Sequence, residues 1–111
     1  DEHIGTLVTA YSLAATLSAL GHYEQAYRLG EETLLRCRRV LGDEHIGTLI
    51  SAGVFASVLR QVGQYEQARE LAEDTLVRMR RVLGDEHPET LRLVRSIAVV
   101  RAYLGDHDQA R

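Results

Sequence analysis

Lysine and tryptophan are absent from this chain, and cysteine, proline, methionine and phenylalanine occur once each. All 13 basic residues are therefore arginine. Without lysine there is no phosphate loop that closes on an ammonium group, and no Schiff-base chemistry. The single cysteine, Cys37, cannot form an internal disulfide, so no oxidising compartment is required. No apolar run approaches the ~18 residues that a membrane span needs. The opening Asp1-Glu2-His3 is not a secretory leader. The expectation is a soluble, cytoplasmic chain without membrane contact. A basic excess is missing too: 16 acidic residues against 13 basic ones give a net charge of −3, which argues against a nucleic-acid partner. Aromatics make up only 5% of the residues, so a core must come from the Leu, Val, Ile and Ala that dominate the 45% apolar fraction. Leu and Ala are strong helix formers, and packed helices are favoured over a sheet.

What is present is repetition. Asp1-Glu2-His3-Ile4-Gly5-Thr6-Leu7 returns as Asp43-Glu44-His45-Ile46-Gly47-Thr48-Leu49, and again as Asp85-Glu86-His87-Pro88-Glu89-Thr90-Leu91. Gly21-His22-Tyr23-Glu24-Gln25-Ala26 returns from Gly63 and, more loosely, from Gly105. The first two units agree at roughly 25 of about 42 positions. The organisation is residues 1–42, residues 43–84, and a partial third unit over 85–111.

Each unit reads as two helices. Helix A is predicted over about 4–20, 46–62 and 88–104, with Leu7, Ala10, Leu13, Ala14, Leu17 and Leu20 at steps of three and four. Gly21, Gly63 and Gly105 are predicted to end these helices, since glycine takes a left-handed cap at little cost. Helix B is predicted over about 23–41 and 65–83, with a stripe of Ala26, Leu29, Thr33, Leu34, Cys37, Val40 and Leu41, stopped by Gly42 and Gly84. Pro88 suits a first helical turn. The third unit is expected to stop at Arg111, inside the first turn of its helix B. An uncovered apolar face of a few hundred Å² forgoes about 5–10 kcal/mol of burial. A longer array, or contact with another chain, is the expectation.

The Gly-x-Tyr-Glu-Gln-Ala phrase followed by Leu at helical spacing resembles the tetratricopeptide repeat. The long period and the phrase Val82-Leu83-Gly84-Asp85-Glu86-His87-Pro88-Glu89-Thr90-Leu91 are similar to the kinesin light chain subtype, which is also common in bacterial signalling proteins beside nucleotide-binding switch domains. The resemblance implies an all-α, right-handed superhelical solenoid whose A helices line a concave face that grips a peptide or partner helix. It implies close-packing roles for Ala14, Ala26, Ala56, Ala68, Ala98 and Ala110, and core positions for Tyr23 and Tyr65. Where the subtype usually carries Asn on helix A, this chain has Ser12, Val54 and Ser96. The Lys and Asn of a carboxylate clamp are absent, so a chaperone C-terminal tail is not the expected ligand.

The remaining clusters have plain structural readings. The Asp-Glu-His triplets carry metal-ligand side chains, but they lie one unit apart, too far to share an ion, and are expected to cap helices. His22 and His107 are expected to be solvated in turns. Arg36, Arg38, Arg39 and Arg78, Arg80, Arg81 suit helix C-termini, with Glu32–Arg36 and Asp74–Arg78 as i,i+4 pairs. Cys37 reads as a small core residue, and Met79 holds the same place one unit on. Ser12, Ser18, Ser51, Ser57 and Ser96 sit on helices without a nucleophile elbow. No acid–base pair, metal set or phosphate loop emerges, so neither catalysis nor a cofactor is expected.

By the family pattern the concave face carries Tyr11, Ala15, Ser18, Gly53, Ser57, Arg60, Gln61, Arg92, Arg95, Val99 and Tyr103. Arg and Tyr are common interface anchors, and Arg92 and Arg95 point to a partner segment of acidic character. The expected function is a protein–protein interaction scaffold. The alternative is self-association into homo-oligomers through uncovered helix faces.

Overall fold

The sequence folds into five α-helices: α1 (Glu2–Ala19), α2 (Tyr23–Leu41), α3 (Ile46–Gln61), α4 (Tyr65–Leu83) and α5 (Pro88–Gln109). This computed structural model describes residues 2–109, with side chains over 4–105. The first Asp-Glu-His triplet, His107 and Ala110 lie outside the described side chains. No strand occurs among the described residues.

The helices stack in two layers. α1, α3 and α5 lie side by side, and α2 and α4 cover them, each packed between two members of the first layer. The result is an all-α solenoid measuring 50 × 31 × 21 Å. Each A-to-B reversal is a Schellman turn. The His22 amide donates to the Leu17 carbonyl and the Gly21 amide to the Ser18 carbonyl. The Gln64 amide likewise donates to Leu59, and Gly63 to Arg60. The motif needs a left-handed residue, which Gly21 and Gly63 supply at φ +87° and +89°.

Gly105 departs from the expectation. Its φ is not positive, and α5 runs through it to Gln109. At the other two turns the reversal is fixed by the following helix, whose Ala26 and Ala68 are fully buried. No described helix follows Gly105 to fix such a reversal. Continuing the existing helix forms one hydrogen bond per residue instead.

The core follows the close-packing positions. Ala14, Ala26, Ala56 and Ala68 are buried, whereas Ala98 on α5 is exposed. One cluster joins Ala26, Leu34, Ala52, Phe55, Val58, Leu59, Ala68 and Val100. A second joins Leu49, Ala56, Ala72, Met79, Leu93 and Ile97. Cys37 is buried, as a small core residue should be. Three positions of the predicted apolar stripes are not core. Leu13 and Leu20 are exposed, at 49% and 68%, and so is Val40. Leu13 matches Phe55 one unit on, which is 8% exposed because α2 packs over it; among the described residues no helix covers Leu13 in the same way. Tyr23 is exposed, while Tyr65 is half-buried and stacks on Tyr103, with ring centroids 5.0 Å apart.

Candidate functional site

The second and third Asp-Glu-His segments do cap helices, but through the histidine. His45 Nδ1 accepts from the Gly47 amide at 2.9 Å, and His87 Nδ1 accepts from the Glu89 amide at 3.1 Å. The acidic members turn to the arginines of the neighbouring B helix. Arg78 lies 3.8 Å from both Asp43 and Glu44 and 3.6 Å from Asp74. Arg81 is bidentate to Glu44, and Arg80 meets Asp85 at 3.3 Å. The sequence treats the acidic triplets and the basic clusters as separate features; the hairpin joins them. No pair forms between Glu32 and Arg36 among the described residues. Nor do three His, Cys, Asp or Glu side chains gather anywhere in the described region as a metal would require.

The surface formed by the A helices holds a groove of about 250 Å³ across α1, α3 and α5. Its apolar lining includes Ala15, Ile50, Val54, Val58, Met79 and Leu93, with Gly53 leaving a notch. The only nearby atom that a Cβ on Gly53 would meet is a Leu93 methyl at 3.9 Å. The repeat register puts Tyr11 on α1 and Arg95 on α5 at the positions matching Gly53. A ring, a notch and a cation thus occupy equivalent places on three adjacent helices.

Of the expected face residues, Ser18, Ser57, Arg60, Gln61 and Arg92 line this groove. Tyr11 is half-buried close by. Burial pushes its phenol up, and the Cys37 thiol and the Glu89 carboxylate add to the effect. Arg95 is exposed and makes no ion pair among the described residues. Tyr103 lies farther along α5, where its ring stacks on Tyr65 at the start of α4. Sequence reasoning missed Ile50, Val54, Glu89, Leu93 and Ser96 as lining residues. The register held part of that signal, since Ile50 matches Arg92 and Val54 matches Ser96.

The polar groups are not equivalent. Ser18 is buried and its hydroxyl donates to Gln61 Oε1, so it orients Gln61 rather than meeting solvent. Arg92 is exposed and shares the Glu89 carboxylate at 3.4 Å. Arg60 is half-buried, and its Nε is shielded from solvent without a hydrogen-bond acceptor. Two guanidinium groups against one carboxylate leave the groove cationic, with the unmatched charge at the Arg60 end. The cysteine contributes no reactive group. Burial pushes the Cys37 thiol up, against smaller opposing effects from the Ser51 hydroxyl and Arg36. No helix is long and apolar enough to cross a membrane among the described residues.

A comparison with curated proteins finds no match. The sequence model of the family described as Tetratricopeptide repeat matches residues 5–76 and 55–111. The paired helices, the glycine turns and this match, which extends over nearly the whole chain, establish that the protein belongs to the tetratricopeptide repeat family.

Proposed function

We propose that this chain is a protein-interaction scaffold that holds a peptide or partner segment of acidic character in the groove of its A helices. The family as a whole serves protein–protein interaction. The observation that carries the finer reading is the groove itself: an apolar floor edged by Arg60 and Arg92, with a single carboxylate, Glu89, among its lining residues. Ser57 and Gln61 offer hydrogen bonds there, Tyr11 and Arg95 flank it, and Ser18 acts indirectly through Gln61. Tyr103, stacked on Tyr65, bounds the surface rather than forming its floor.

The repeated Leu-Gly-Asp-Glu-His phrase supports a reading of the array as kinesin light chain-like, of the kind found in bacterial signalling proteins. A partner-binding part of a larger cytoplasmic regulator fits that subtype and a chain whose one cysteine is buried and unpaired. Charge reversal at Arg60 and Arg92 tests the reading: affinity for a captured acidic segment should fall at least tenfold. Unchanged affinity would refute it.

A second reading is self-association. It draws on the outer face of α5, where Leu91, Val94 and Ala98 are exposed while Leu49, Ala52 and Ala56 at the matching positions of α3 are buried. Light scattering separates the two readings. A dimer dispersed by Leu91→Glu with the groove left free supports the second; a monomer supports the first.

A further inference from the structure

Resting on the groove being an interaction surface, we infer that the C-terminal end of α3 is a subsite for one carboxylate side chain, Glu or Asp, of the bound segment, with Arg60, Gln61 and Ser57 as its donors. Of the two guanidinium groups lining the groove, Arg60 is the one without an ion-pair partner among the described residues, and its Nε, like that of Arg69 on α4, has no acceptor. Arg92 already shares Glu89, and Arg101 pairs with Glu73 across to α4. A guanidinium group offers five donors in a planar fork that matches a carboxylate. Next to it, Gln61 is held in one orientation. Its Oε1 accepts from the Ser18 hydroxyl, so its amide nitrogen is left to donate. The Ser57 hydroxyl lines the same hollow. Three kinds of donor and, among the described residues, no acidic side chain stand at this end, because Glu89 sits in the first turn of α5.

The ligand group is a side chain within a segment rather than a chain terminus. Apolar residues line the groove on both flanks of α3, Ala15 and Ala19 on α1 and Leu93 on α5. A segment can therefore enter and leave. The apolar lining and the Gly53 notch accept an aliphatic neighbour beside the acid.

Backbone amide shifts of the full 111-residue chain test this. The probes are acetyl-valyl-glutamyl-leucine amide, its glutaminyl counterpart, and the glutaminyl peptide with a free C-terminus. The expected result is a shift of the Ser57 to Gln61 amides, with the glutamyl amide binding at least threefold more tightly than the glutaminyl amide. Arg60→Gln should erase that difference. Should Arg60→Gln fail to fold, Gln61→Glu at an exposed position should weaken the glutamyl probe more than the glutaminyl one and so abolish the preference between them. Equal binding of both amides within the groove would overturn the carboxylate subsite but leave the groove reading intact. A free-terminus probe that matches the glutamyl amide would overturn the choice of a side chain. Shifts confined to residues outside α1, α3 and α5 would overturn subsite and groove reading together.

Discussion

The ring of Phe55 on α3 occupies the space that a side chain on Gly30 of α2 would need: a Cβ built there would sit 3.0 Å from the ring's Cδ1. Tyr27, one turn earlier on α2, meets the same ring edge-on with centroids 5.2 Å apart. One unit on, the matching positions are Ala72 and Ile97, which share a core cluster. A larger residue on one helix is matched by a smaller one on the next.

Gly30→Ala should therefore destabilise the fold, although it replaces a helical glycine. The helix gain is about 1 kcal/mol, and overpacking a buried ring costs about 1–3 kcal/mol. The expected net loss is about 1 kcal/mol, or a fall in Tm of roughly 4–8 °C. With Phe55→Ile in place, which gives the pair the composition of Ala72 and Ile97, the same change should stabilise. Thermal melts of the four variants decide it, and additive effects would show that the two residues do not interact.

The histidine caps give a second test. His45→Ala should cost about 1 kcal/mol, whereas His45→Asn, another good cap, should cost a few tenths. Glu44→Ala removes an exposed ion-pair partner and should cost at most about 1 kcal/mol at low salt. In high salt the Glu44 effect should fade and the His45 effect persist. Urea titrations at two ionic strengths measure both.

Equivalent leucines should differ sharply. Leu49 is 1% exposed and Leu91, 42 residues later, is 45% exposed. Leu49→Ala should cost about 2–5 kcal/mol, while Leu91→Ala should stay within about 0.5 kcal/mol. A comparable loss at Leu91 would mean that its face is covered in solution, as the self-association reading requires.

The raised Cys37 thiol makes stability fall at alkaline pH. Its folded-state value lies above the unfolded one, so the unfolded chain releases its proton first and gains stability relative to the native state as pH rises. The contribution is whole below about pH 8.5 and is lost above it. Cys37→Ala should shift the onset of the loss toward pH 10, where the raised Tyr11 phenol takes over. Native Cys37 should also react with thiol reagents only at the rate of unfolding, as a colorimetric thiol assay would show.

Much of the fold could be read from the chain because its units repeat the same local signals. Glycines at 21, 42, 63 and 84 all adopt positive φ, and alanines 14, 26, 56 and 68 are all buried. Misreadings arose where neighbours, not local sequence, decide the outcome. Gly105 carries the same local signal as Gly21, but no described helix follows it to fold back. Leu13 and Leu20 carry the apolar pattern, but among the described residues no helix covers them in the way α2 covers Phe55. The groove was legible as a face but not as a hierarchy of polar groups. Arg92 and Arg95 stand out in the sequence by charge, yet Glu89 shares the first and solvent surrounds the second. The buried Nε of Arg60 depends on packing between layers, which spacing along the chain does not encode.

The succession Tyr11, Gly53, Arg95 has a further consequence. These residues hold one structural coordinate on three parallel helices, and none belongs to either buried cluster. The architecture thus separates two vocabularies. One, written in alanine and leucine, must stay constant for the helices to nest. The other stands outside those clusters and reads phenol, hydrogen and guanidinium in turn. Specificity in such an array can drift quickly while its framework stands still.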